Sequence, residues 1–484
     1  MLFNSLAFAV FLPCVFFVYW ALPEKYRGAL LLIASYYFYM SWNVKYVVLI
    51  LFTTIISYVC ALCMEKHPEK KKIFLWGALV CCLGVLFLFK YFNFFMDTLA
   101  RVAAMAAIPL HRVTLALMLP VGISFYTFQT LSYVIDIYRG DERAEKNFFT
   151  YAAFVSFFPQ LVAGPIERTG NLLPQIKGKH VFDSHRAVYG LKLMAWGFFK
   201  KLVIADNLAV YVDQIFGDVH YYSGFCMLLA AFFFTIQIYC DFSGYSDIAI
   251  GTAKLFGIDL MRNFNSPYFA ASVKDFWSRW HISLSTWFRD YVYIPLGGNQ
   301  RGRGRTILNQ FVTMLVSGLW HGAAFTYVIW GGVHGLLQAL ENMIPICRRY
   351  NRAVKEGSQS GAALWLGRAG TFAAVMLAWI FFRADSLSDA CYVFLHMWDG
   401  MGSPVSYLAQ GIAVLDLNTV AANVTVLLPL ALLWLYDHRA LSGDPIEEIS
   451  ALRPAFRWGI YYAFIFLVLM LASFNAQEFV YFQF

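Results

Sequence analysis

The sequence has little charge. Asp, Glu, Lys and Arg together make up 14% of its 484 residues, whereas soluble globular proteins contain about 25%. Hydrophobic residues make up 60% and aromatic residues 19% of the chain. So few charged side chains cannot cover the surface of a globule of this size, which excludes a water-soluble fold.

The sequence also lacks the motifs of the common cofactor and metal sites. It contains no Walker sequence, no dinucleotide-binding glycine fingerprint and no Cys/His cluster with the spacing of metal ligands. Redox chemistry carried by a cofactor is therefore unsupported. We expect neither a bound metal nor a tightly bound cofactor.

The cysteines do not suggest a disulfide framework. There are nine, an odd number, and most lie inside apolar runs, where a free cysteine behaves as a small hydrophobic residue. Cys60 and Cys63 have the spacing of a redox pair, but they lack the thioredoxin-like βαβ context that such a pair requires.

Long apolar runs are what the sequence does contain. A helix needs about 20 mostly apolar residues to cross a bilayer. We predict an all-α polytopic membrane protein with about eleven to twelve crossings, some short or re-entrant, forming one membrane domain over residues 1–484. The first run has no basic leader or cleavage site, so we expect it to remain in the mature protein. The runs are 5–22, 28–42, 46–64, 73–92, 114–135, 148–166, 190–205, 222–240, 306–330, 367–382, 418–436 and 456–473.

Basic loops predict the orientation of the chain, because Lys and Arg accumulate in cytoplasmic loops. Lysines gather in residues 65–72 after the third run, and Lys25 and Arg27 follow the first run. With the loop 437–457 also inside, both termini lie outside a bacterial cytoplasmic membrane. The net charge of +8 then reflects topology and contact with anionic membrane lipid, and we expect no nucleic-acid partner.

The longest polar stretch is residues 258–305. Within it, residues 265–268 break any helix, and residues 274–281 begin an amphipathic helix suited to the membrane interface. Asp275 and Arg279 have the i, i+4 spacing of an ion pair along one helix face.

A second polar group crowds what we predict to be the end of the helix at 222–240. Its members could line a polar funnel or hold helices together, and we favour packing. They are Gln237, Tyr239, Asp241, Ser243, Tyr245, Ser246 and Asp247.

Three histidines are candidates for chemistry, because ionisable residues inside membrane spans are costly and usually face a cavity or a partner. His321 is flanked by glycines that allow close approach of a backbone or a thin substrate. His334 follows thirteen residues later, and His281 ends the amphipathic stretch. An imidazole can take a proton from a hydroxyl nucleophile and return it to a leaving group. Each could instead be a structural residue between helices; His321 is the strongest candidate, followed by His281.

A flexible basic loop precedes the segment of His321. Residues 297–305 read GGNQRGRGR, and the guanidinium groups of Arg301, Arg303 and Arg305 could hold the phosphates of a donor such as coenzyme A. A topology loop on the cytoplasmic side is the simpler interpretation.

The chain ends in aromatic residues beyond the last apolar run. Residues 479–484 read FVYFQF, and such residues commonly form an interfacial belt. The hydroxyl of Tyr481 could instead act as a nucleophile that briefly holds an acyl group, provided that a base lies within reach.

Several short motifs follow one another in order between about residues 120 and 390. They are RWHISLSTWFRDY at 279–291, IPLGG at 294–298 and LWHG at 319–322, supported by FPQLVAGPI at 158–166, GFFKK at 197–201, YCDFSGYSD at 239–247 and FRADS at 382–386. The ordered set resembles the membrane-bound O-acyltransferase family, called MBOAT. The likeness is closest to the branch of the alginate O-acetyltransferase subunit AlgI and more distant to the teichoic-acid D-alanyltransferase DltB.

The resemblance implies a helical bundle around a central funnel, with residues 120–390 as catalytic core. It implies that His321, in Trp-His-Gly, is catalytic and that His281 supports it in the site, whereas His334 has no role to transfer. The tail resembles the aromatic C-terminal motif of a small membrane peptide that accompanies the D-alanyltransferase, in which a tyrosine is thought to receive the acyl group. Residues 474–484 would then be an extracytoplasmic tail with Tyr481 as the acyl relay.

The residues and the resemblance together predict an O-acyltransferase. We expect acetyl-CoA as acyl-donor substrate, His321 as general base, and delivery of acetyl across the membrane for O-acetylation of a cell-envelope or exported polysaccharide, completed by an extracytoplasmic acetyltransferase partner. One alternative is transfer of D-alanyl or another acyl group from an acyl carrier protein to a wall polymer. The other is a transporter in which the histidines form a proton relay.

Overall fold

All regular secondary structure in the described part of the chain is helical. The computed structural model describes residues 1–417, 419–473 and 479–480, and in these residues every regular element is an α-helix, a 3-10 turn or a π-helical turn. The predicted all-α fold is thereby confirmed. Five of the described helices are long and apolar enough to cross a membrane, judged by length and composition, and Leu6–Ala21 is a shorter apolar helix.

The helices are distributed over two compact units. The first unit comprises Met1–Met194 and Ile248–Met261, and the second comprises Ala195–Asp247 and Arg262–Phe484. The single membrane domain over residues 1–484 stays a prediction.

The bounds of the helices are as follows. The first unit contains α1 (Leu6–Ala21), α2 (Glu24–Met40), α3 (Tyr46–Lys66), α4 (Lys71–Leu86), α5 (Phe92–Met105), α6 (Ile123–Arg139), α7 (Phe148–Ser156) and α8 (Thr169–Lys177). Residues of both units belong to α9 (Ser184–Phe198) and α11 (Phe225–Leu255). The second unit contains α10 (Asp206–Phe216), α12 (Val273–Arg279), α13 (Ile282–Phe288), α14 (Arg303–His321), α15 (Phe325–Met343), α16 (Pro345–Lys355), α17 (Gly361–Arg383), α18 (Leu387–His396), α19 (Pro404–Val414), α20 (Val420–Arg439), α21 (Pro445–Ser450) and α22 (Pro454–Leu471). Short 3-10 turns lie at Pro68–Lys70, Val219–Tyr221 and Pro267–Phe269, and π-helical turns at Phe87–Tyr91, Phe199–Ala205 and Arg289–Tyr293.

Helix α3 shows how polar residues are buried in the first unit. The hydroxyls of Thr54 and Ser57 donate to the carbonyls of Ile50 and Thr53, one turn earlier, at 2.6 and 2.7 Å. These bonds satisfy the hydroxyls within their own helix. The Ser57 hydroxyl also lies 2.6 Å from that of Tyr151 on α7, so the same group ties two helices together.

In the second unit, α14 and α15 form a closely packed hairpin. A Cβ atom added at Gly318 would lie 2.2 Å from the carbonyl oxygen of Tyr327, and one at Gly331 would lie 2.3 Å from that of Met314. Only glycine permits this approach of the two backbones. The chain reverses after His321, so the apolar run 306–330 consists of parts of two helices rather than one span.

Helix α11 is longer than the sequence predicts. We placed a helix end near residue 240, but α11 continues without a break to Leu255, so the polar group at 237–247 lies within the helix. This prediction was wrong because the polar residues at 237–247 do not end the helix. The carboxylates of that group are paired with lysines, which allows a helix that bears them to remain buried.

Two other predicted runs are also irregular. In the run 148–166, α7 ends at Ser156, and in the run 190–205 the π-helical turn Phe199–Ala205 follows α9 directly. These segments fit the expectation of short or re-entrant pieces. The number of membrane crossings stays a prediction.

Candidate active site

Helix α12 is held firmly at its amino-terminal end. Its N-cap residue Ser272 accepts a hydrogen bond from the Asp275 amide through its side-chain oxygen at 3.1 Å. The carboxylate of Glu341, on α15, accepts from the amides of Val273 and Lys274 at 2.6 and 3.1 Å. These bonds satisfy amides that no helical carbonyl can reach, and they tie α12 to α15.

The predicted ion pair on α12 is confirmed, since Arg279 Nε lies 2.8 Å from Asp275 Oδ1. The predicted break before this helix is confirmed as well: Ser266 has φ 44° and the 3-10 turn Pro267–Phe269 follows it. Helix α12 ends at Arg279, two residues before His281.

His281 lies at the sharp turn between α12 and α13. Its φ of 42° is in the left-handed region, which is uncommon for a residue other than glycine and costs free energy. The side chain is fully buried, and the edge of its ring meets Phe242 at 4.6 Å between centroids. A residue held in such a conformation indicates that the surrounding structure determines its position.

Asn263 determines which nitrogen of His281 carries the proton. Its Oδ1 atom accepts from the backbone N–H of Ser283 at 3.3 Å and from the Ser283 hydroxyl at 2.9 Å, which identifies this atom as the amide oxygen. His281 Nδ1 lies 3.0 Å from the same oxygen and must therefore be the protonated nitrogen.

The other ring nitrogen of His281, Nε2, is then the unprotonated one, the nitrogen that serves as acceptor or base in a neutral imidazole. Burial lowers the pKa of His281 to about 3, so the ring is neutral at physiological pH. Sequence reasoning missed Asn263, which lies in a polar stretch where one asparagine has no distinguishing pattern.

His321 is the last residue of α14 and is 3% exposed. Its ring makes edge contacts with Trp320, Trp330 and Phe382, at 4.9, 5.1 and 5.4 Å between centroids. A Cβ at the next residue, Gly322, would lie 2.1 Å from the Tyr327 ring. The aromatic rings therefore enclose the imidazole and leave little of it open to solvent.

His334 is fully buried on α15 and has an evident packing role. The indole N–H of Trp277 donates to His334 Nδ1 at 3.3 Å, because an indole nitrogen can only donate. The rings of Trp277 and Trp330 lie 5.3 and 4.9 Å from that of His334. This bond joins α12 to α15.

The structure brings the three predicted histidines into one aromatic assembly, which we call the histidine cluster. Trp320 contacts both His281, at 6.1 Å, and His321. Trp330 contacts both His321 and His334. The histidine cluster therefore consists of three imidazoles joined through two indoles.

A second assembly, which we call the charge cluster, lies on α11, the π-helical turn after α9 and the first residue of α10. Lys201 Nζ lies 2.8 Å from Asp206 Oδ1 and 2.6 Å from Asp241 Oδ1. Lys200 Nζ lies 2.6 Å from Asp247 Oδ2 and 2.8 Å from the Ser243 hydroxyl. The members of the charge cluster are Lys200, Lys201, Asp206, Asp241, Ser243 and Asp247.

Sequence reasoning did not identify these pairs. One signal was available: the apolar run 190–205 contains two adjacent lysines, which require counter-charges if they are buried.

Of the three predicted donor-binding arginines, Arg303 and Arg305 lie in the first turn of α14 and Arg301 lies two residues before it; all three are exposed. The guanidinium of Arg303 donates to the carbonyls of Asn342 and Met343 at the end of α15, the latter at 2.9 Å. Arg301 and Arg305 lie close by in sequence. The length of α14 separates this end from His321 by about 27 Å, so the arginines do not touch the histidine cluster.

Tyr481, the predicted acyl relay, lies outside the described residues. Within the tail 474–484 the structure describes Phe479 and Val480, which are 3% and 6% exposed. The ring of Phe479 lies 5.0 Å from that of Tyr245 and 5.8 Å from that of Phe242. Since Phe242 contacts His281, Phe479 is one aromatic ring away from the histidine cluster.

Comparison with known proteins gives these residues a context. Residues 141–375 match the sequence model of MBOAT, the membrane-bound O-acyltransferase family. The chain is 38% identical to the probable alginate O-acetylase AlgI of Pseudomonas putida over the whole of both chains. It is 35% identical to the peptidoglycan O-acetyltransferase of Helicobacter pylori, over 85% of this chain and 82% of that one. It is 27% identical to the teichoic acid D-alanyltransferase of Bacillus subtilis, over 48% of this chain and 61% of that one.

Proposed function

Because the chain belongs to the membrane-bound O-acyltransferase family, we propose that this multi-pass O-acyltransferase carries acetyl from cytoplasmic acetyl-CoA to an acceptor outside the membrane. The acceptor is a cell-envelope or exported polysaccharide. The observation that carries the proposal is the histidine cluster, in which the buried His321 and His281 share contact with Trp320. We propose His321 as general base and His281 as its supporting residue.

In the first proposed step, His321 takes the proton of the Tyr481 hydroxyl as the phenolic oxygen attacks the thioester carbonyl carbon. The carbon–sulfur bond breaks, and the coenzyme A thiol leaves with the proton that His321 returns. Acetyl is then held as an ester on Tyr481. The position of Phe479 beside Phe242, which contacts His281, supports this step.

In the second proposed step, a sugar hydroxyl attacks the acetyl ester. The oxygen of Tyr481 regains its proton, and the sugar carries the new ester. We propose that an extracytoplasmic acetyltransferase partner carries out this second transfer, because the positive charge in the loops predicts that the tail lies outside.

Acetyl is favoured over D-alanyl by the extent of the similarities. The relatives named as O-acetylases match all or most of the chain, whereas the D-alanyltransferase matches 48% of it. Transfer from an acyl carrier protein to a wall polymer is therefore the second candidate. A transporter is no longer a competing proposal, because the family is one of acyltransferases.

The donor would approach from the cytoplasmic end of α14, where Arg301 and Arg305 could hold phosphates. Arg303 is the weakest of the three candidates, because it already bonds the carbonyls at the end of α15. We expect acetyl-CoA to bind as a substrate rather than as a resident cofactor.

Labelling of the protein tests the proposal. Purified full-length protein in lipid nanodiscs, incubated with radiolabelled acetyl-CoA, should acquire covalent label, and Tyr481→Phe should lose it. Tyr462→Phe is the matched control, since Tyr462 is an exposed tyrosine of α22, and it should label as the unmodified protein does. Label from an acylated carrier protein alone would favour the second candidate, and label retained in Tyr481→Phe would overturn the relay.

A further inference from the structure

Asp241 occupies a demanding place in the charge cluster. It is 1% exposed and lies midway along α11, whose most apolar stretch is 78% buried. A carboxylate at such a position is very costly unless it is paired and hydrogen-bonded. Lys201 supplies the counter-charge at 2.6 Å, and a second carboxylate, Asp206, shares that lysine at 2.8 Å.

The second oxygen of Asp241 contacts the carboxyl-terminal tail. The backbone N–H of Val480 donates to Asp241 Oδ2 at 2.7 Å. Lys201 thus holds one oxygen of the carboxylate and the tail holds the other. A hydrogen bond from an amide to a buried carboxylate is short and among the stronger ones in proteins.

This hydrogen bond holds the backbone of the tail on α11, and aromatic contacts hold a side chain of the tail there as well. Phe479 packs on Tyr245 and Phe242, which lie about one turn apart on α11 between Asp241 and Asp247. Val480 is bonded and Phe479 is packed, so the two residues directly before Tyr481 have defined positions.

We propose that the Lys201–Asp241 pair is the anchor that seats the tail and positions Tyr481 for acyl transfer. The proposal rests on the proposed function for the identity of the relay, but the anchor itself is a separate physical claim. Asp241 and Lys201 are positioning residues in this account. They act through the backbone of Val480, and neither touches the acyl group.

The other half of the charge cluster provides a matched control. Asp247 lies on the same helix and is paired with Lys200 at 2.6 Å, and in the described residues its carboxylate makes no bond to Phe479 or Val480. If the charge cluster served only to stabilise the fold, loss of either aspartate would affect the tail in the same way. If Asp241 is an anchor, only its loss releases the tail.

Hydrogen–deuterium exchange of the Val480 amide measures the anchor directly. In full-length protein in nanodiscs, with C-terminal peptides resolved by fragmentation, we expect this amide to be protected. Asp241→Ala should accelerate its exchange at least about tenfold, since the bond is charge-assisted. Asp241→Asn, which retains an acceptor oxygen, should restore part of the protection, and Asp247→Asn should leave it unchanged. Equal acceleration in the Asp241 and Asp247 variants would overturn the anchor.

A change on the tail side covers the case in which Asp241→Ala does not fold. Val480→Pro removes the donor N–H and also fixes φ at this residue, but it leaves both members of the Lys201–Asp241 pair in place. We expect acyl transfer to fall at least about tenfold with an unchanged melting temperature; unchanged transfer would overturn the proposal. Tyr481→Phe should keep Val480 protected. If it also keeps its label, the anchor stands and the relay fails, so the two failures are distinguishable.

Discussion

The histidine cluster and the charge cluster bury ionisable side chains in opposite ways. In the histidine cluster, imidazoles are surrounded by indoles and phenyl rings, and His281 is held neutral. In the charge cluster, each lysine is matched to a carboxylate within 2.8 Å. Neutral groups in a site without bulk water can exchange protons with a substrate. Charged groups that are paired with each other are not available for such exchange. The comparison is consistent with the proposed roles, in which the histidine cluster carries out the chemistry and the charge cluster holds the architecture.

Removal of the His321 side chain should show most clearly that the two clusters differ in role, because it should affect activity much more than stability. His321→Ala is expected to lower the acetylation rate about 10²–10⁴-fold, the usual contribution of a general acid–base group. Its melting temperature should fall only by the cost of the cavity left in the cluster, and less than in a variant in which a buried charge loses its partner. Radiolabel transfer and thermal unfolding of the same preparation measure both quantities. A rate within threefold of the unmodified enzyme would remove His321 from the chemistry.

Removal of Lys201 should have the reverse outcome. Lys201→Met leaves Asp206 and Asp241 buried without a counter-charge, and breaking such a pair costs about 3–5 kcal/mol. We expect a large loss of thermal stability, measured in detergent or nanodiscs. The control is Lys274→Met, since Lys274 has an exposed side chain and surface changes usually alter stability by about 0.5 kcal/mol or less. Equal melting temperatures for the two variants would show that the charge cluster does not support the fold.

The parts of the histidine cluster were predictable because each lies in a local pattern. His321 stands among glycines in an apolar run, and His281 ends an amphipathic stretch after a helix-breaking turn. Local patterns do not reveal which rings meet. The contacts of Trp320 and Trp330 depend on how α12, α14 and α15 pack, and packing depends on residues far apart in the chain.

The charge cluster was only partly visible in the sequence. Lys200 and Lys201 belong to a recognised motif, and Asp241 and Asp247 were noted as polar residues for which packing was the favoured role. The ion pairs are tertiary contacts between segments far apart in sequence, so neither segment alone indicates its partner. The length of α11 was predicted wrongly for the same reason. The sequence shows that each buried charge is unfavourable, but it does not show the lysine that pairs with it.

Asn263 tests whether the orientation of His281 matters. Asn263→Ala removes the oxygen that accepts from His281 Nδ1 and from Ser283, and a buried group left without its partner costs about 1–3 kcal/mol. We expect the transfer rate to fall roughly tenfold or more, as the ring loses its fixed tautomer.

The conservative variant distinguishes orientation from simple loss of packing. Asn263→Asp keeps an acceptor oxygen for His281 and should recover part of the rate, whereas a packing defect would be no better repaired by Asp than by Ala. Measuring kcat and KM separately adds a second criterion. A positioning defect lowers kcat, and an unchanged kcat in Asn263→Ala would contradict the assignment.

Substitution of His334 should have the smallest effect on the acetylation rate. It tests whether His334 takes part in the chemistry or only in packing. His334→Leu keeps an apolar side chain against Trp330 but removes the acceptor of the Trp277 N–H, which costs about 1 kcal/mol of stability. The acetylation rate per folded molecule should stay close to that of the unmodified protein, because the Nδ1 lone pair of His334 is already used by Trp277. Rates are compared at equal amounts of folded protein, with His321→Leu as the matched change one indole away. An equal loss of activity in His334→Leu and His321→Leu would contradict the packing role of His334. All three imidazoles would then belong to one proton-transfer chain.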